Sequence, residues 1–251
     1  MITTTQQTEA ADAVALARRA GIEADLWQRD VLRSRAQQMI LLCSRQAGKS
    51  TVTSLLALHR AIFTPGALIL LLAPALRQSQ ELFRKLKAFM ASFPSLPVAL
   101  IEESALRLEF ENGSRIVTLP GKEQTIRGFS GVSLLIVDEA SRVDDGLYNA
   151  IRPMLAVSKG RIVLLSTPFG KRGFFWKEWS EGGPEWERVK ITAHDCPRIS
   201  AEWLEQEKRT IGDWWFRQEY LCDFVDSVDQ VFATDDILRA LDSTVQPLFG
   251  V

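Results

Sequence analysis

Short apolar runs recur along the chain, and each is followed by a turn and then by a longer stretch with helical periodicity. Four runs, residues 39–43, 67–73, 133–137 and 161–165, are apolar on both faces. Such runs are typical of parallel strands that helices cover on each side. The segments between them are long enough for crossover helices, at residues 50–63, 78–93 and 145–157. The pattern predicts an α/β fold with a mainly parallel central sheet flanked by helices.

Two segments depart from this pattern. Residues 106–119 alternate apolar and polar side chains around Asn112-Gly113, a dipeptide that favours a tight turn, so an antiparallel hairpin is predicted there. After Phe175, tryptophans stand among charged residues at helical spacings and predict a small helical subdomain beside the sheet. They are Trp176, Trp179, Trp186, Trp203, Trp214 and Trp215.

Composition narrows the class of protein. The chain has 251 residues, 46% of them hydrophobic and 24% charged, which suits one large folded domain. Thirty Lys and Arg against 31 Asp and Glu give a net charge of −1, so any contact with a polyanion must be a local patch. Cys43, Cys196 and Cys222 lie far apart, which predicts neither a disulfide framework nor a zinc site. No membrane segment or secretory signal is expected, so a cytoplasmic location is predicted.

A candidate phosphate-binding loop follows the first strand. Residues 39–43 run directly into Ser44-Arg45-Gln46-Ala47-Gly48-Lys49-Ser50, and a helical pattern comes next. Backbone N–H groups and a helix N-terminus in this arrangement face a polyphosphate, with Lys49 on its β and γ phosphates and Ser50 on Mg²⁺. Cys43 occupies the position of the first Gly in the pattern G-x-x-x-x-G-K-[ST]. Because the match is incomplete, the loop by itself is also compatible with an ordinary turn between a strand and a helix.

Acidic and hydroxyl side chains follow the later strands. The run 133–137 ends in Asp138-Glu139, where Asp138 can hold Mg²⁺ and Glu139 can orient or deprotonate an attacking water. The alternative, a helix-capping pair, is disfavoured by the Lys-Ser loop upstream. Ser166-Thr167-Pro168 ends the next strand and can report the presence of a γ-phosphate, or can simply form a turn with capping hydroxyls.

Four motifs in order, SRQAGKS, SLLIVDEAS, LLSTPFG and FRQEYLCDF, resemble the ATPase domain of the large terminase subunit, the motor that packages DNA into tailed-phage capsids. The resemblance extends from about Leu26 to Phe232. It implies a P-loop NTPase fold of the ASCE, or RecA-like, class with a small helical lid subdomain. It also accounts for Cys43, because the loop of this family is often degenerate at the first Gly.

The resemblance implies further roles. Arg45 would be the loop arginine that contacts the phosphates in cis, and Arg127 would be an arginine finger in the neighbouring subunit's site. Trp27 and Gln28 would hold the adenine, although simple packing remains the alternative for these two, as a solvated loop position does for Arg127. The implied nucleotide-binding set is Trp27, Gln28, Ser44, Arg45, Gln46, Ala47, Gly48, Lys49, Ser50 and Thr51. Ser166, Thr167 and Pro168 would couple the γ-phosphate state to the helical subdomain.

The implied organisation is an ATPase domain over residues 1–226, with lid elements from the N-terminal segment and residues 196–226. Residues 227–251 would be a linker to an absent nuclease domain, so no nuclease activity is expected. Four aspartates fall in or beside that linker rather than on facing strands: Asp226, Asp229, Asp235 and Asp236. A basic stretch on the helix after the second strand could contact DNA, but Glu81 among its members favours a solvated face; the stretch is Arg77, Arg84, Lys85 and Lys87.

The implied function is Mg²⁺-dependent ATP hydrolysis that drives double-stranded DNA into a procapsid in the cytoplasm of an infected bacterial host. The implied partners are DNA, a homo-oligomeric ring that is a pentamer when assembled, a portal protein and a small terminase subunit. Two alternatives are weaker. An ATP-dependent helicase or translocase with tandem cores would need a second set of strands, and a nucleotide-dependent assembly scaffold would not need Glu139.

Overall fold

A computed structural model describes residues 4–121, 128–226 and 234–240 of the chain. Its strands are β1 (Gln38–Cys43), β2 (Leu68–Ala73), β3 (Leu100–Glu103), β4 (Arg107–Phe110), β5 (Arg115–Pro120), β6 (Val132–Asp138), β7 (Arg161–Ser166) and β8 (Trp186–Ile191). Its α-helices are α1 (Thr4–Ala11), α2 (Ala13–Arg19), α3 (Leu26–Arg33), α4 (Lys49–Phe63), α5 (Leu76–Ala91), α6 (Asp145–Ile151), α7 (Gly173–Ser180), α8 (Ala201–Ile211), α9 (Asp213–Glu219) and α10 (Thr234–Ala240). Two of the residues singled out in the sequence, Arg127 and Asp229, lie outside the described residues.

The described strands form one eight-stranded sheet in the order β3-β4-β5-β2-β6-β7-β1-β8. From β5 to β8 all neighbours are parallel, whereas β3, β4 and β5 pair antiparallel. The predicted strands and the predicted hairpin, now β4 and β5, are confirmed. Gly113 turns between them with a φ of 77°, a conformation that favours glycine, and the Asn112 side-chain amide donates to the carbonyl of Ala61.

Alternate residues of each central strand enter two cores. Met39 and Leu41 of β1 pack in the core beneath helices α2 to α5, while Ile40 and Leu42 pack in the core beneath α6 and α7. Both sides are buried, which is why these strands read as continuous apolar runs rather than as alternating ones. The result is the predicted α/β sheet with helices on each face, and it fixes the carboxyl ends of β1, β6 and β7 side by side.

The prediction of helix after Phe175 is wrong for residues 186–191. These form β8, which pairs parallel with β1 and buries Trp186 at its start and Ile191 at its end. Three of the four intervening positions are charged and all four are at least partly exposed, as an edge strand allows, so β8 lacks the apolar run of a central strand. The other tryptophans do lie on helices: Trp176 and Trp179 on α7, Trp203 on α8, and Trp214 and Trp215 on α9.

Helices α8 and α9 have a small core of their own, built from Ala193, Leu204, Phe216 and Tyr220. A backbone hydrogen bond of 3.0 Å from Arg45 N to the carbonyl of Glu219 connects α9 to the loop after β1. The assignment of residues 196–226 to a lid, and of residues 1–226 to one ATPase domain, stays a prediction. Of the described helices, none has both the length and the apolar character needed to cross a membrane.

Candidate nucleotide-binding site

A cleft of about 820 Å³ opens at the carboxyl end of the parallel strands, where the loop after β1 turns into α4. This edge of an α/β sheet is where such folds bind ligands. Three of the predicted motifs reach the cleft, from β1, β6 and β7. The residues that line it are Arg45, Gln46, Gly48, Lys49, Ser50, Thr51, Gln78, Lys85, Glu139, Arg142 and Thr167.

The loop has the backbone shape that an anion cradle requires. Gln46 and Gly48 adopt positive φ values of 61° and 98°, and α4 begins at Lys49 immediately afterwards. The φ of Gly48 is one that L side chains rarely adopt, and a Cβ there would lie 2.7 Å from Gln28 Nε2, so glycine is strongly favoured at this position. The free N–H groups and partial positive charge at the start of the 15-residue helix α4 therefore border the cleft and favour a polyanion there.

Lys49 and Glu139 line the cleft and lie close to each other, and Glu139 also contacts the buried Ser166. Lys49 Nζ lies 3.8 Å from Glu139 Oε1 and donates to the Ser44 carbonyl at 3.4 Å. Glu139 has a left-handed backbone with a φ of 50°, and its Oε2 accepts a 3.4 Å hydrogen bond from Ser166 Oγ. The Ser166 hydroxyl is also 2.7 Å from Ser141 Oγ. Glu139 therefore connects Lys49, at the start of α4, to Ser166, at the end of β7.

Asp138 combines partial burial with an acidic neighbour. Burial, and next the charge of Glu139, raise the pKa of Asp138 to about 6, while Lys49 and Lys85 act in the opposite direction. Its Oδ1 accepts the backbone N–H of Glu139 at 3.0 Å. The Asp138 carboxylate and the Ser50 hydroxyl are hard oxygen ligands of the kind Mg²⁺ prefers, and an under-compensated acid favours a cation, so these residues fit the metal. Within the described parts of the chain no cluster of three His, Cys, Asp or Glu supplies a complete metal site.

Arg45 is held by a residue to which the sequence assigned no chemistry. Arg45 Nε lies 2.5 Å from Glu219 Oε2, and this carboxylate is almost completely buried while the Arg45 side chain is 60% exposed. The ion pair raises the pKa of Arg45. To contact a phosphate, Arg45 must therefore leave or share Glu219. Glu219 belongs to the motif FRQEY, which the sequence had singled out, but its contact with Arg45 exists only because the fold brings α9 to the loop.

Two further cations face the cleft. The sequence did not predict that either belongs to the site. Lys85, on α5, donates from Nζ to Ser50 Oγ at 3.3 Å. Arg142 lies with its guanidinium 4.2 Å from the ring centre of Phe169, the residue after Pro168. The interpretation of the basic stretch on α5 as a purely solvated face is thus incomplete for Lys85, whereas Lys87 pairs with Glu103 and faces away.

The remaining predicted residues support the loop from behind. Ser44 is buried, and its backbone N–H donates to the Ile191 carbonyl at 2.8 Å. Trp27 and Gln28 are buried and do not line the cleft, but the Gln28 amide lies against Gly48. Arg198 donates to the carbonyl of the buried Ala47 at 3.1 Å. Whether adenine reaches Trp27 and Gln28 stays a prediction.

Thr167 and Pro168 are buried after β7, with Thr167 at the cleft wall. The phenyl ring of Phe169 lies between two guanidinium groups, that of Arg142 and that of Arg172, the latter 4.3 Å from the ring centre. This stack joins the end of β7 to the residues that lead into α7. The segment after β7 thus extends from the cleft wall at Thr167 to the start of α7.

Comparison with known proteins agrees with this geometry. The profile of the family described as "Terminase large subunit, T4likevirus-type, N-terminal" matches residues 40–239. The terminase large subunit of Thermus phage G20c is 28% identical over 244 residues, which cover 83% of this chain and 50% of that protein. The chain thus spans about half the length of this relative.

Two solved structures share the fold. The large terminase ATPase domain of Thermus phage P74-26 superposes with a TM-score of 0.72 at 23% identity, covering 83% of this chain and 97% of that one. The large terminase of a thermophilic bacteriophage, solved in complex with ATP-γ-S, superposes with a TM-score of 0.63 at 15% identity, covering 81% of this chain and 53% of that one.

Proposed function

Because the chain belongs to the T4likevirus-type terminase large subunit family, we propose that it binds and hydrolyses ATP and thereby drives double-stranded DNA into a procapsid. The observation that carries this proposal is the meeting of Lys49, Glu139 and Ser166 at one cleft behind a loop that ends in a helix N-terminus. The ATP-γ-S bound by the structurally similar large terminase of the thermophilic bacteriophage supports a nucleotide as the ligand.

Each residue at the floor of the cleft has a distinct task in this proposal. Lys49 moves from Glu139 to the β and γ phosphates, which leaves the Glu139 carboxylate free to accept the proton of a water. That water attacks the γ-phosphorus, and the bond to the β–γ bridging oxygen breaks to release ADP. Ser166, which contacts Glu139, and Thr167 and Pro168 transmit the state of the γ-phosphate towards α7.

Mg²⁺, when bound, would neutralise part of the charge on the phosphates. Ser50 and Asp138 are the residues that would hold it. The nucleotide cradle consists of Ser44, Arg45, Gln46, Ala47, Gly48, Lys49, Ser50 and Thr51, with Trp27 and Gln28 on the adenine side.

Positive charge for the transition state comes from Arg45 in cis and, in an assembled ring, from Arg127 of a neighbouring copy. A trans arginine has a clear test by complementation. Arg127→Ala protein mixed with an excess of Glu139→Gln protein should recover part of the hydrolysis, because the Glu139→Gln subunits still present Arg127. Failure of every mixing ratio to recover activity would remove the trans role.

The wider setting follows from the family and belongs to the same proposal. The partners are double-stranded DNA, further copies of the chain in a ring that is a pentamer when assembled, a portal protein and a small terminase subunit. The location is the cytoplasm of the infected bacterial host. A tandem-core helicase is less favoured because all the described strands belong to one sheet.

The deciding experiment separates binding from turnover. Glu139→Gln should bind Mg·ATP with near-normal affinity in calorimetry and lose about 100-fold or more in phosphate release, since only the proton acceptor is changed. Lys49→Ala should lose binding as well. Asp30→Asn, on the exposed side of α3, is the control and should change neither. Normal turnover by Glu139→Gln would contradict the mechanism, and nucleotide binding without any turnover by the wild-type chain would favour the scaffold alternative.

A further inference from the structure

A second cavity lies at the opposite end of the parallel strands, where β1, β6 and β7 begin. It has a volume of about 300 Å³, and a neighbouring cleft of about 680 Å³ shares Gln37, Arg60, Thr64 and Arg161 with it. We call the smaller one the basic cavity. Its lining residues are Gln37, Arg60, Thr64, Pro65, Gly66, Ala67, Gly131, Ser133, Ser158, Lys159, Gly160 and Arg161. Helix α4 separates it from the nucleotide cleft, because Lys49 begins that helix and Arg60 lies in its last turn.

Arg161 is an unsatisfied cation inside the protein. Its side chain starts β7 and is 8% exposed, yet its Nε is buried without a hydrogen-bond partner. Its one described contact is from Nη2 to Met39 Sδ at 3.7 Å, and a thioether sulfur is a weak acceptor. A buried guanidinium that lacks an oxygen partner is costly to the fold, so something else must compensate it.

The residues that line the basic cavity add positive charge and no negative charge. Arg60 and Lys159 make no ion pair or side-chain hydrogen bond in the described parts of the chain, and no Asp or Glu is among the cavity's lining residues. Burial, and next the charge of Arg60, lower the pKa of Arg161 to about 10. The charge of Glu187 acts in the opposite direction on this pKa, but Glu187 and Arg161 form no ion pair in the described parts of the chain.

The position of Arg60 alone has an ordinary explanation, since a cation in the last turn of a helix interacts favourably with the helix dipole. That explanation does not extend to Arg161, which lies on a strand, or to the clustering of three cations around one small polar space. The hydroxyls of Thr64 and Ser133 at the same space are further potential donors. The hydroxyl of Ser158 already donates to the carbonyl of Val132 at 2.7 Å.

We propose that the basic cavity binds a phosphate oxyanion between Arg60, Lys159 and Arg161. A phosphate suits the site better than a carboxylate, because its charge of about −1.5 to −2 at neutral pH offsets more of the three positive charges. The side of a DNA duplex is too broad to reach a guanidinium that is only 8% exposed. The ligand is therefore either free inorganic phosphate or the terminal phosphate of a nucleic-acid strand.

The test uses the full chain carrying Lys49→Ala, so that phosphate binding in the nucleotide cleft is suppressed and the outcome does not depend on ATP hydrolysis. Thermal unfolding is followed in sodium phosphate and in sodium chloride of equal ionic strength, and binding is titrated by calorimetry. We expect a phosphate-specific rise of several degrees; at about 100 times the dissociation constant it should be about 5 °C or more. Adding Arg60→Gln, Lys159→Gln or Arg161→Gln should reduce the affinity at least tenfold.

The matched control is Arg84→Gln, an exposed arginine on α5 that pairs with Glu81, and it should leave the phosphate effect intact. Unfolding in the chloride buffer distinguishes an anion-binding arginine from one that only stabilises the fold. In chloride, Arg60→Gln should unfold at the same temperature as its parent or at a higher one, because the substitution removes repulsion between Arg60 and Arg161. This comparison does not require Arg161→Gln to fold.

A pair of short oligonucleotides, with and without a 5′-phosphate, identifies the source of the anion. Preference for the phosphorylated strand indicates a nucleic-acid terminus, and binding of inorganic phosphate alone indicates the free ion. Absence of phosphate-specific stabilisation, or stabilisation that persists in both Arg60→Gln and Lys159→Gln, would overturn the proposal.

Discussion

Replacing Asp138 by Asn should stabilise the chain in the absence of nucleotide and Mg²⁺. In the folded chain, burial and Glu139 raise the pKa of Asp138 to about 6, above its ordinary value of 3.8. Between these two values the folded state binds more protons than the unfolded state. Ionised Asp138 therefore disfavours folding above pH 6, and that penalty fades as the pH falls towards 4. Asn carries no charge, and its Oδ1 can still accept the Glu139 N–H.

The magnitude follows from the separation of the two pKa values. About two pKa units correspond to roughly 3 kcal/mol at pH 7 and above, and the same linkage gives about 1.6 kcal/mol at pH 5 and about 0.5 kcal/mol at pH 4. For a chain of this size 1 kcal/mol moves the melting temperature by roughly 2–4 °C, so the variant should melt about 6–12 °C higher at pH 7.5.

The assay is urea unfolding of both proteins from pH 5 to pH 8 in the presence of a chelator, with calorimetric melting as a second measurement. Effects of the substitution that involve no charge, such as the altered solvation of the amide, do not vary with pH. The pH dependence of the difference in free energy of unfolding thus isolates the charge. Mg·ADP should then reverse the order of stability, since the wild-type carboxylate gains a cation and the amide does not.

The control is Asp30→Asn, because Asp30 lies on the solvent-exposed side of α3. This substitution should give a difference that stays flat across the pH range. A flat difference for Asp138→Asn as well, or one that grows towards acidic pH, would contradict this account of Asp138.

Three further predictions test the surroundings of the cleft. Lys85→Gln should lower kcat/KM for ATP about tenfold by removing a cation beside Ser50, with Lys87→Gln on the same helix as the unaffected control; equal losses in both would contradict a role for Lys85 in the cleft. Glu219→Gln should tighten nucleotide binding, measured by calorimetry, because Arg45 is released, and the gain should vanish in an Arg45→Gln background; weaker binding would show that Glu219 positions Arg45 rather than restrains it. Gly48→Ala should destabilise the chain by about 2 kcal/mol or more in urea, against about 1 kcal/mol for Gly21→Ala, where the added methyl group meets nothing within 4 Å; equal losses would mean that the contact with Gln28 is not restrictive.

Much of the site could be predicted because its chemistry is contiguous in sequence. Lys49 and Ser50 follow a strand and start a helix, and Asp138-Glu139 ends another strand, so local pattern and sheet topology together place them at one edge. Lys85 and Glu219 could not be placed in this way. Each sits on a helix whose orientation is set by contacts with distant segments, and a charged side chain on an amphipathic helix looks the same whether it faces solvent or a ligand.

The order of residues was enough to predict the central strands and the hairpin, because double-sided burial and the Asn112-Gly113 turn leave a direct trace in it. Packing between distant segments was needed to show that residues 186–191 form an edge strand rather than a helix, since pairing with β1 outweighs a local composition rich in charge. The same packing brings Glu219 to Arg45, and places Arg60, Lys159 and Arg161 around one cavity. These are contacts between segments far apart in the chain, and their free energy depends on burial and distance, which no local pattern records.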